Sequence, residues 1–363
     1  MKLRCLLLTT VLVAPTALTA QIKDVQDCRA ACSLVLTRVV TLQSRSDGQG
    51  YAGKPNSIAR LADGSFLVAD RYDQDRIKHY GADGVFLKDI GRRGKGPGEY
   101  EIVQFVSLMP GDSIEVYDLK QNRVTILSDQ YKVARVQAQP SPAWEMVRFD
   151  DGGRIVVAGL YQPERVGLPL HFIDRTGEIK KSFGANPPIA DLRNIDLNYR
   201  QLARASDSSV WSANVTDYRI EEWTKQGARL RVLKRNAQWF PAHKQYGFVD
   251  TKTPPGPGIM ALYVDSSGLV WTLIQVPDSR WKEGIGPVKD PYGRVVQRVA
   301  NSTAYFDTMV EVIDPKSGRV VGSARMDKAA IRFSSDGKII TYDDSSPSGE
   351  PLVEMWEARL PSH

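Results

Sequence analysis

The sequence has few of the residues that metal and redox sites need. Its 363 residues include only three cysteines and four histidines, His79, His171, His243 and His363. A zinc site needs several such ligands grouped together, and these are scattered along the chain. We therefore expect no metal and no other cofactor. Neither a Ser-His-Asp nor a Cys-His set can be assembled, so we assign no catalytic residues.

Long hydrophobic runs are absent after the first twenty residues, so no later segment predicts a membrane span. Within residues 1–20, Lys2 and Arg4 precede an apolar run from Leu6 to Leu18, and Thr19-Ala20 offers small residues for cleavage. This pattern is typical of a secretory signal peptide cleaved near Ala20. We expect a periplasmic or secreted protein, with an uncleaved N-terminal anchor as the alternative.

The scarce cysteines fit export. Cys5 would leave with the signal peptide, and Cys28 and Cys32 would remain. An even number of cysteines in an oxidising compartment favours a disulfide, which would staple the N-terminal segment to the body. A redox-active pair is an alternative, although the spacing is not CxxC. A metal site would need further ligands nearby, and none cluster there.

A strong excess of charge is also missing. The net charge is +6 at pH 7 and falls to about +4 without Lys2 and Arg4. This mild charge requires no acidic partner, and for an exported protein we expect no nucleic-acid partner. The partner class that remains is an unknown small molecule, a glycan or a protein, and we expect a monomer.

What the chain does contain is a repeated β unit. From Pro55 to Tyr100, four short β-rich runs are separated by turn dipeptides such as Asp63-Gly64 and Asp83-Gly84. One sheet of this size cannot bury both faces, so it needs neighbours of the same kind. Matching units recur along the chain at residues 55–90, 102–136, 144–183, 200–233, 259–326 and 330–360.

The last unit supplies only three strands, and a strand at Ser33–Leu42 has no local partner. Six units with a split last blade predict an all-β, six-bladed β-propeller over residues 21–363, closed by the N-terminal strand at 21–42. Closure protects the sheet edges that would otherwise be exposed at the seam. The alternative is a linear array of sheets with an unpaired end. It does not explain why the last unit lacks one strand while the strand Ser33–Leu42 has no partner.

The first unit resembles the NHL-type repeat of exported bacterial six-bladed β-propeller proteins. The residues that carry this resemblance are Pro55, Asp63-Gly64, Val68-Ala69-Asp70, Arg76-Ile77, Gly84 and the run from Gly91 to Tyr100. The resemblance implies that the glycine-rich run, which superficially looks like a phosphate-binding loop, connects two blades. It indicates the fold well and the function poorly, because propellers host many unrelated activities.

Three units share an acidic or amide residue followed by an arginine between the second and third strands. The pairs are Asp70 and Arg76, Asp118 and Arg123, and Asn214 and Arg219. Such side chains can brace a loop by accepting backbone N–H groups. The functional alternative is that these loops hold a ligand at one mouth of the channel, and we name all six as candidate ligand-binding residues. The aspartates of Asp70–Asp75 lack the glycine and glutamate of an EF-hand loop.

The repeat is broken by an insertion from Pro277 to Tyr305, and long insertions on a rigid scaffold often carry function. We add its aromatic residues Trp281 and Tyr292 to the candidate ligand-binding residues. The alternative is a short hairpin that covers one face. We expect the inner-strand residues to be mostly apolar or small, as at Ile58, Ala59, Val103, Val106 and Leu262.

With a clear scaffold and no catalytic set, the sequence favours a non-catalytic ligand-binding or protein-interaction module. The alternative is a propeller enzyme of lactonase, lyase or hydrolase type with its active site at a channel mouth. A ring of polar groups around the channel would favour the enzyme.

The signal-peptide prediction is directly testable. We expect the mature protein recovered from the periplasm or medium to begin at Gln21, because the small residues of Thr19-Ala20 precede that position. Intact mass and N-terminal sequencing measure this. A mature chain that keeps Met1 to Ala20 would contradict the prediction.

Overall fold

The computed structural model describes residues 20–29, 32–160, 162, 164–185, 199–243, 246, 249–289, 293–344 and 350–361. The signal-peptide prediction falls almost wholly outside these residues. Among the helices within them, none is both long and apolar enough to cross a membrane.

The strands form six small sheets in a ring, and each sheet is one blade. Within a blade the strands run outward in sequence order, so the first is the innermost. The two N-terminal strands are added at the outer edges of blades 4 and 6. These N-terminal strands are β1 (Gln21–Asp24) and β2 (Val35–Leu42). Blade 1 consists of β3 (Pro55–Arg60), β4 (Phe66–Asp70), β5 (Ile77–Tyr80) and β6 (Phe86–Ile90). A small parallel pair follows, β7 (Arg92–Arg93) and β8 (Glu99–Tyr100).

The next three blades repeat this order. Blade 2 consists of β9 (Val103–Leu108), β10 (Ile114–Asp118), β11 (Arg123–Leu127) and β12 (Val133–Ala138). Blade 3 consists of β13 (Glu145–Arg148), β14 (Arg154–Val157), β15 (Leu170–Ile173) and β16 (Ile179–Phe183). Blade 4 consists of β17 (Arg200–Arg204), β18 (Ser209–Asn214), β19 (Arg219–Thr224) and β20 (Arg229–Lys234).

Blade 5 carries the insertion between its second and third strands. It consists of β21 (Gly258–Val264), β22 (Val270–Pro277), β25 (Phe306–Asp314) and β26 (Arg319–Met326). The insertion contains β23 (Ile285–Lys289), β24 (Val295–Val299) and the short helix α1 (Ser302–Tyr305). Blade 6 consists of β27 (Ala330–Phe333), β28 (Ile339–Asp343) and β29 (Leu352–Arg359).

The turns within blades follow from their sequence. Gly64 has a φ of 86°, a conformation that glycine adopts without the steric cost of a Cβ atom. The preceding Asp63 accepts the backbone N–H of Ser65 at 2.9 Å, which holds the chain in the turn between β3 and β4. This turn chemistry sets the register of the hairpin. A glycine with positive φ recurs at the first turn of blades 2, 3, 5 and 6, namely Gly111, Gly152, Gly268 and Gly337.

The predicted closure is confirmed. Strand β2 pairs antiparallel with β29, from Val35 opposite Arg359 to Leu42 opposite Val353. It becomes the outer strand of blade 6, in the sheet order β2-β29-β28-β27. The sheet that would have kept an exposed edge at the seam is thereby completed by the other end of the chain.

The N-terminal segment also contacts two further blades, which the sequence analysis did not predict. Strand β1 pairs parallel with β20 and adds a fifth strand to blade 4. Gln26 then forms a parallel bridge with Arg319 of blade 5. The predicted Cys28–Cys32 disulfide is present and lies beyond that bridge. The segment therefore runs along the outer edges of blades 4, 5 and 6.

His171 is a buried group of blade 3 whose neutral form the fold requires. It is fully buried in β15, where Nε2 can donate to the Ala158 carbonyl at 3.2 Å and Nδ1 can accept from the Ser182 hydroxyl at 2.8 Å. Burial lowers the pKa of His171 from 6.5 to about 4, although the Ala158 carbonyl acts in the opposite direction. As pH falls, His171 is therefore protonated at a higher pH in the unfolded chain than in the folded chain.

This shift predicts a pH dependence of stability. As pH falls from 6.5 towards 4, the unfolded chain binds a proton that the folded chain does not, so the free energy of unfolding decreases. The free energy of unfolding that is lost through His171 approaches about 3 kcal/mol, because each pKa unit between the folded and unfolded chains corresponds to about 1.4 kcal/mol. Urea unfolding of the natural protein and of His171→Gln at pH 7.5, 5.5 and 4.5 measures it. Equal pH slopes for the two proteins would contradict the prediction.

Candidate functional site

The central channel contains a cavity of about 310 Å³. All six inner strands contribute to its wall, which combines apolar side chains such as Phe105, Met146 and Phe333 with a few polar ones. Because inner strands alternate their side chains, every second residue can face the axis. The polar residues that line this cavity are Ser57, Ser107, Glu145, Arg148, Gln201, Arg332, Ser334 and Ser335.

An ion pair crosses the channel. The Arg332 Nη2 atom of blade 6 lies 2.8 Å from Glu145 Oε1 of blade 3, which is the opposite blade of the ring. The side chains are 22% and 7% exposed. The Arg332 guanidinium also lies over the Phe105 ring, 5.8 Å from its centroid. Glu145, the carboxylate among the described residues that line the cavity, is therefore already neutralised, which makes it a weak candidate for a general base.

A second ion cluster lies between blades 2 and 3 and includes Arg148 of the channel wall. Glu115 accepts from both Arg148 and Arg154, the latter at 3.3 Å, and Arg154 also donates to Gln139 at 3.1 Å. The side chains of Glu115 and Arg154 are fully buried. Burial lowers the pKa of Arg154, and Arg148 adds to this effect while Glu115 opposes it. Two guanidiniums share one carboxylate, so the cluster carries an excess of positive charge.

Tyr199 lies close to the crossing ion pair. Its ring lies 6.1 Å from the ring of Trp144, the residue that precedes Glu145. Burial and the Glu145 carboxylate raise the pKa of Tyr199, and Arg332 and Arg71 oppose this increase. The phenol therefore stays protonated at neutral pH and can serve as a hydrogen-bond donor. An aromatic pair thus lies beside the charged pair near the axis.

The side chains that line the channel cavity are mostly apolar or small, as we expected. Four larger polar residues that the sequence analysis did not single out also line it: Glu145, Arg148, Gln201 and Arg332. The sequence did hold a signal for two of them, because the charges of EMVR and AIRF interrupt short apolar strands at inward-facing positions. The pairing of Glu145 with Arg332 could not be predicted from the sequence, since 187 residues separate them.

The predicted residue Asp70 is fully buried and occupied by its own blade. Its carboxylate accepts the backbone N–H of Gly53 at 2.6 Å and of Tyr72 at 2.8 Å. It also pairs with the buried ammonium of Lys78 at 3.1 Å. These contacts hold the loop after β4 against the segment that leads into β3, which is the bracing role considered for it.

Asp118 and Asn214 make the same kind of contact. Asp118 accepts the backbone N–H of Glu101 at 2.7 Å and of Gln121 at 3.0 Å, so it ties the entry of blade 2 to the loop after β10. Asn214 accepts the backbone N–H of Thr216 at 2.8 Å. A ligand-binding role for Asp70, Asp118 and Asn214 stays a prediction. Each of their side chains already accepts at least one backbone N–H group.

The three predicted arginines contact three separate sets of partners. Arg76 pairs with Asp75 at 2.7 Å, with Asp73 at 3.2 Å and with Asp89 at 3.3 Å. Arg123 donates to the carbonyls of the connector between blades 1 and 2, including that of Lys95 at 2.8 Å and that of Gly96 at 3.1 Å. Arg219 donates to Glu221 at 2.9 Å. Their binding role also stays a prediction.

Within the described residues of the insertion, Trp281 does not form the exposed aromatic platform that we expected. Trp281 is only 8% exposed and packs in a small apolar cluster with Tyr305 and Phe306, under the β23–β24 hairpin. The ring is buried because the hairpin needs an apolar base of its own, so we do not retain Trp281 as a ligand contact. Tyr292 lies outside the described residues. The alternative, a short hairpin, describes this segment better.

Blade 5 brings together three acidic residues that the sequence analysis did not single out. Carboxylate oxygens of Asp278, Asp307 and Asp327 lie within 4.8 Å of one another. Burial opposes the charge of Asp278, but Arg280 lowers its pKa to about 2. Burial raises the pKa of Asp307, and Asp278 adds to this effect. Guanidinium groups of Arg280 and Arg325 occupy the cluster, so these charges already have partners.

No known protein family and no curated protein matches this chain by sequence. Solved structures, however, share its fold. A Bacteroides fragilis protein named as a candidate exported protein is 11% identical with a TM-score of 0.61, covering 94% of this chain and 100% of its own. A member of the DUF4221 family from Bacteroides vulgatus is 13% identical with a TM-score of 0.63, covering 91% and 99%.

These similarities show a six-bladed β-propeller and, at such low identity, the fold alone. A virginiamycin B lyase from Staphylococcus aureus is also similar, at 11% identity and a TM-score of 0.48, covering 89% of this chain and 99% of its own. That similarity is too low to carry a functional argument. The NHL resemblance noted in the first blade has no counterpart among family matches. The protein is thus a six-bladed β-propeller that shares its fold with a protein named for export.

The crossing ion pair predicts a measurable coupling. Glu145→Gln leaves the Arg332 guanidinium without a counter-charge, and we expect a loss of about 2 kcal/mol in the free energy of unfolding. Adding Arg332→Met should recover part of that loss, because both charges are then gone. A double-mutant cycle by urea unfolding measures the coupling. The exposed pair Arg45–Asp47 serves as a control that should couple by less than about 1 kcal/mol. Additive losses at Glu145 and Arg332 would argue against the pair.

Proposed function

We propose that this chain is an exported, non-catalytic β-propeller that binds a small molecule in its central channel. The observation that carries the proposal is the cavity of about 310 Å³, whose wall combines apolar side chains with eight polar or charged residues. Ligand sites in proteins combine apolar surface with polar groups that orient the ligand, and this volume is at the lower end of their range. A glycan or protein partner, the other classes considered, would have to bind mainly outside the channel.

The state of the charged groups supports binding over catalysis. Glu145 is paired with Arg332, and Glu115 is shared by two arginines. General-base or nucleophilic chemistry needs a group that is free to exchange a proton or attack a substrate. Charges held in this way instead provide fixed hydrogen-bond donors and acceptors that can orient a bound molecule.

The second candidate function is that of an enzyme, and one observation favours it. Asp278 and Asp307 lie together with pKa values shifted in opposite directions, which is the arrangement of a general acid and a general base. Against it, the cluster is paired with Arg280 and Arg325 and lies on blade 5, among residues other than those that line the channel cavity.

Filling the cavity tests the proposal. A thermal-shift panel of organic acids, lactones, saccharides and short peptides should identify compounds that stabilise the natural protein. Ser107→Trp places a large ring into the cavity and should abolish that stabilisation, whereas the conservative Ser107→Thr should retain it. Circular dichroism confirms that both variants fold.

Mass spectrometry of the incubated compounds distinguishes binding from turnover. We expect each stabilising compound to be recovered intact. If a compound is converted, and the conversion is lost in Asp307→Asn but retained in Ser107→Trp, the protein is an enzyme with its site at the Asp278–Asp307 cluster and the binding proposal is wrong. If a compound still stabilises Ser107→Trp, its binding site lies outside the channel.

A further inference from the structure

Two arginines of the channel wall are held beside one strand, the inner strand β9 of blade 2. Arg332 of blade 6 lies over the Phe105 ring, 5.8 Å from its centroid. Arg148 of blade 3 pairs with Glu115, which lies opposite Ser107 in the β9–β10 ladder. Phe105 and Ser107 are two residues apart, so their side chains are on the same face of the sheet. The two guanidinium groups therefore come from opposite blades but lie beside neighbouring positions of one strand.

Both arginines line the cavity and have N–H groups that bind no other described residue. A guanidinium carries five N–H donors. In the part of the chain that the structure describes, Arg332 donates only to Glu145, through Nη2, and Arg148 only to Glu115, through Nη1. The Arg148 Nε atom is buried without an acceptor among these residues. A ligand that accepts hydrogen bonds could therefore contact both arginines without displacing either carboxylate.

The charges around the cavity do not cancel. Among the described residues that line it, the charged ones are Glu145, Arg148 and Arg332. Two further charged residues, Glu115 and Arg154, belong to the cluster with Arg148, and their side chains are fully buried. Three guanidinium groups thus share two carboxylates, which leaves one positive charge in excess. Such an excess in a partly buried cluster costs folding free energy, and a bound anion would remove that cost.

The acidic residues in the turns after β13 and β27 do not supply the missing counter-charge. Each of these carboxylates has a cationic partner of its own. The pairs are Asp150 with Arg204 at 2.7 Å, Asp151 with Lys225 at 2.6 Å and Asp336 with Arg60 at 3.1 Å. Asp150 and Asp151 are also more than half exposed, so solvent screens them. The excess positive charge therefore stays at the cavity wall.

We propose that the cavity binds an organic molecule with one carboxylate, which lies between Arg148 and Arg332. Its apolar body lies against Phe105, Met146 and Phe333 of the wall. The inference rests on the proposed function and adds the chemical class of the ligand.

Three features of the cavity select this class. One carboxylate neutralises the one excess charge, whereas a dianion such as a phosphate monoester would bring a second charge without a counter-charge. The planar fork of a guanidinium matches the two oxygens of a carboxylate and forms charge-assisted hydrogen bonds with them. The apolar part of the wall favours an organic body over an inorganic ion.

Calorimetry at low ionic strength with benzoate, phenyl phosphate, inorganic sulfate and neutral benzyl alcohol tests the ligand class. We expect benzoate to bind the natural protein more tightly than the other three, and benzyl alcohol not to bind detectably. Arg148→Gln removes the excess charge and leaves Glu115 paired with Arg154, so this variant should fold. Its benzoate affinity should fall on the order of tenfold or more.

Arg359→Gln is the matched control. Arg359 shares Glu357 with Lys338 at the surface, just as Arg148 shares its carboxylate with a second cation. The control makes the same change in net charge and should leave benzoate affinity unchanged. Arg148→Lys keeps the charge but loses the planar fork, so its benzoate affinity should lie between those of the natural protein and Arg148→Gln. Circular dichroism confirms that each variant folds, and Arg148→Lys carries the test if Arg148→Gln does not.

Tighter binding of phenyl phosphate than of benzoate would overturn the inference, as would equal benzoate affinity in Arg148→Gln and Arg359→Gln. If neutral compounds stabilise the natural protein but not Ser107→Trp, and benzoate does not bind, the channel is a ligand site and only the carboxylate assignment is wrong. If Ser107→Trp abolishes the binding of no compound, the proposed function and this inference are both wrong.

Discussion

The fold depends on the pairing of β2 with β29, because a ring of sheets is stable only when its two ends meet. Each blade buries its faces against two neighbours, so an open ring would expose the facing sides of blades 1 and 6 together with a strand edge. The chain solves this with eight residues from its N-terminal region. The same segment first pairs with blade 4 and bridges blade 5, so three blades depend on it.

Closure also determines what can lie on the axis. Once six inner strands surround the channel, charged residues from opposite blades come within hydrogen-bond distance, as Glu145 and Arg332 do at 2.8 Å. A charge in this position is costly unless it is paired. Pairing across the ring neutralises the Glu145 carboxylate at the axis. Between blades 2 and 3, Arg148 and Arg154 share the single carboxylate of Glu115, which leaves an excess of positive charge there.

The fold could be predicted from the sequence because its signals are local and repeated. Turns such as Asp63-Gly64 and β-branched runs such as Ile114–Asp118 carry enough information to count blades, and the orphan strand before Leu42 completes the count. The site could not be predicted in this way. Asp70 and Arg123 stood out in the sequence, yet they contact loop backbone, and Trp281 supports its own hairpin.

By itself, the sequence determined the six blades and the N-terminal closure and favoured the disulfide, since each follows from residues close in the chain or from matching counts of strands. Only the tertiary structure decided which side chains meet on the axis. Glu145 and Arg332 belong to opposite blades and are 187 residues apart in the chain. Charge pairing depends on distances in space, which a linear pattern does not contain.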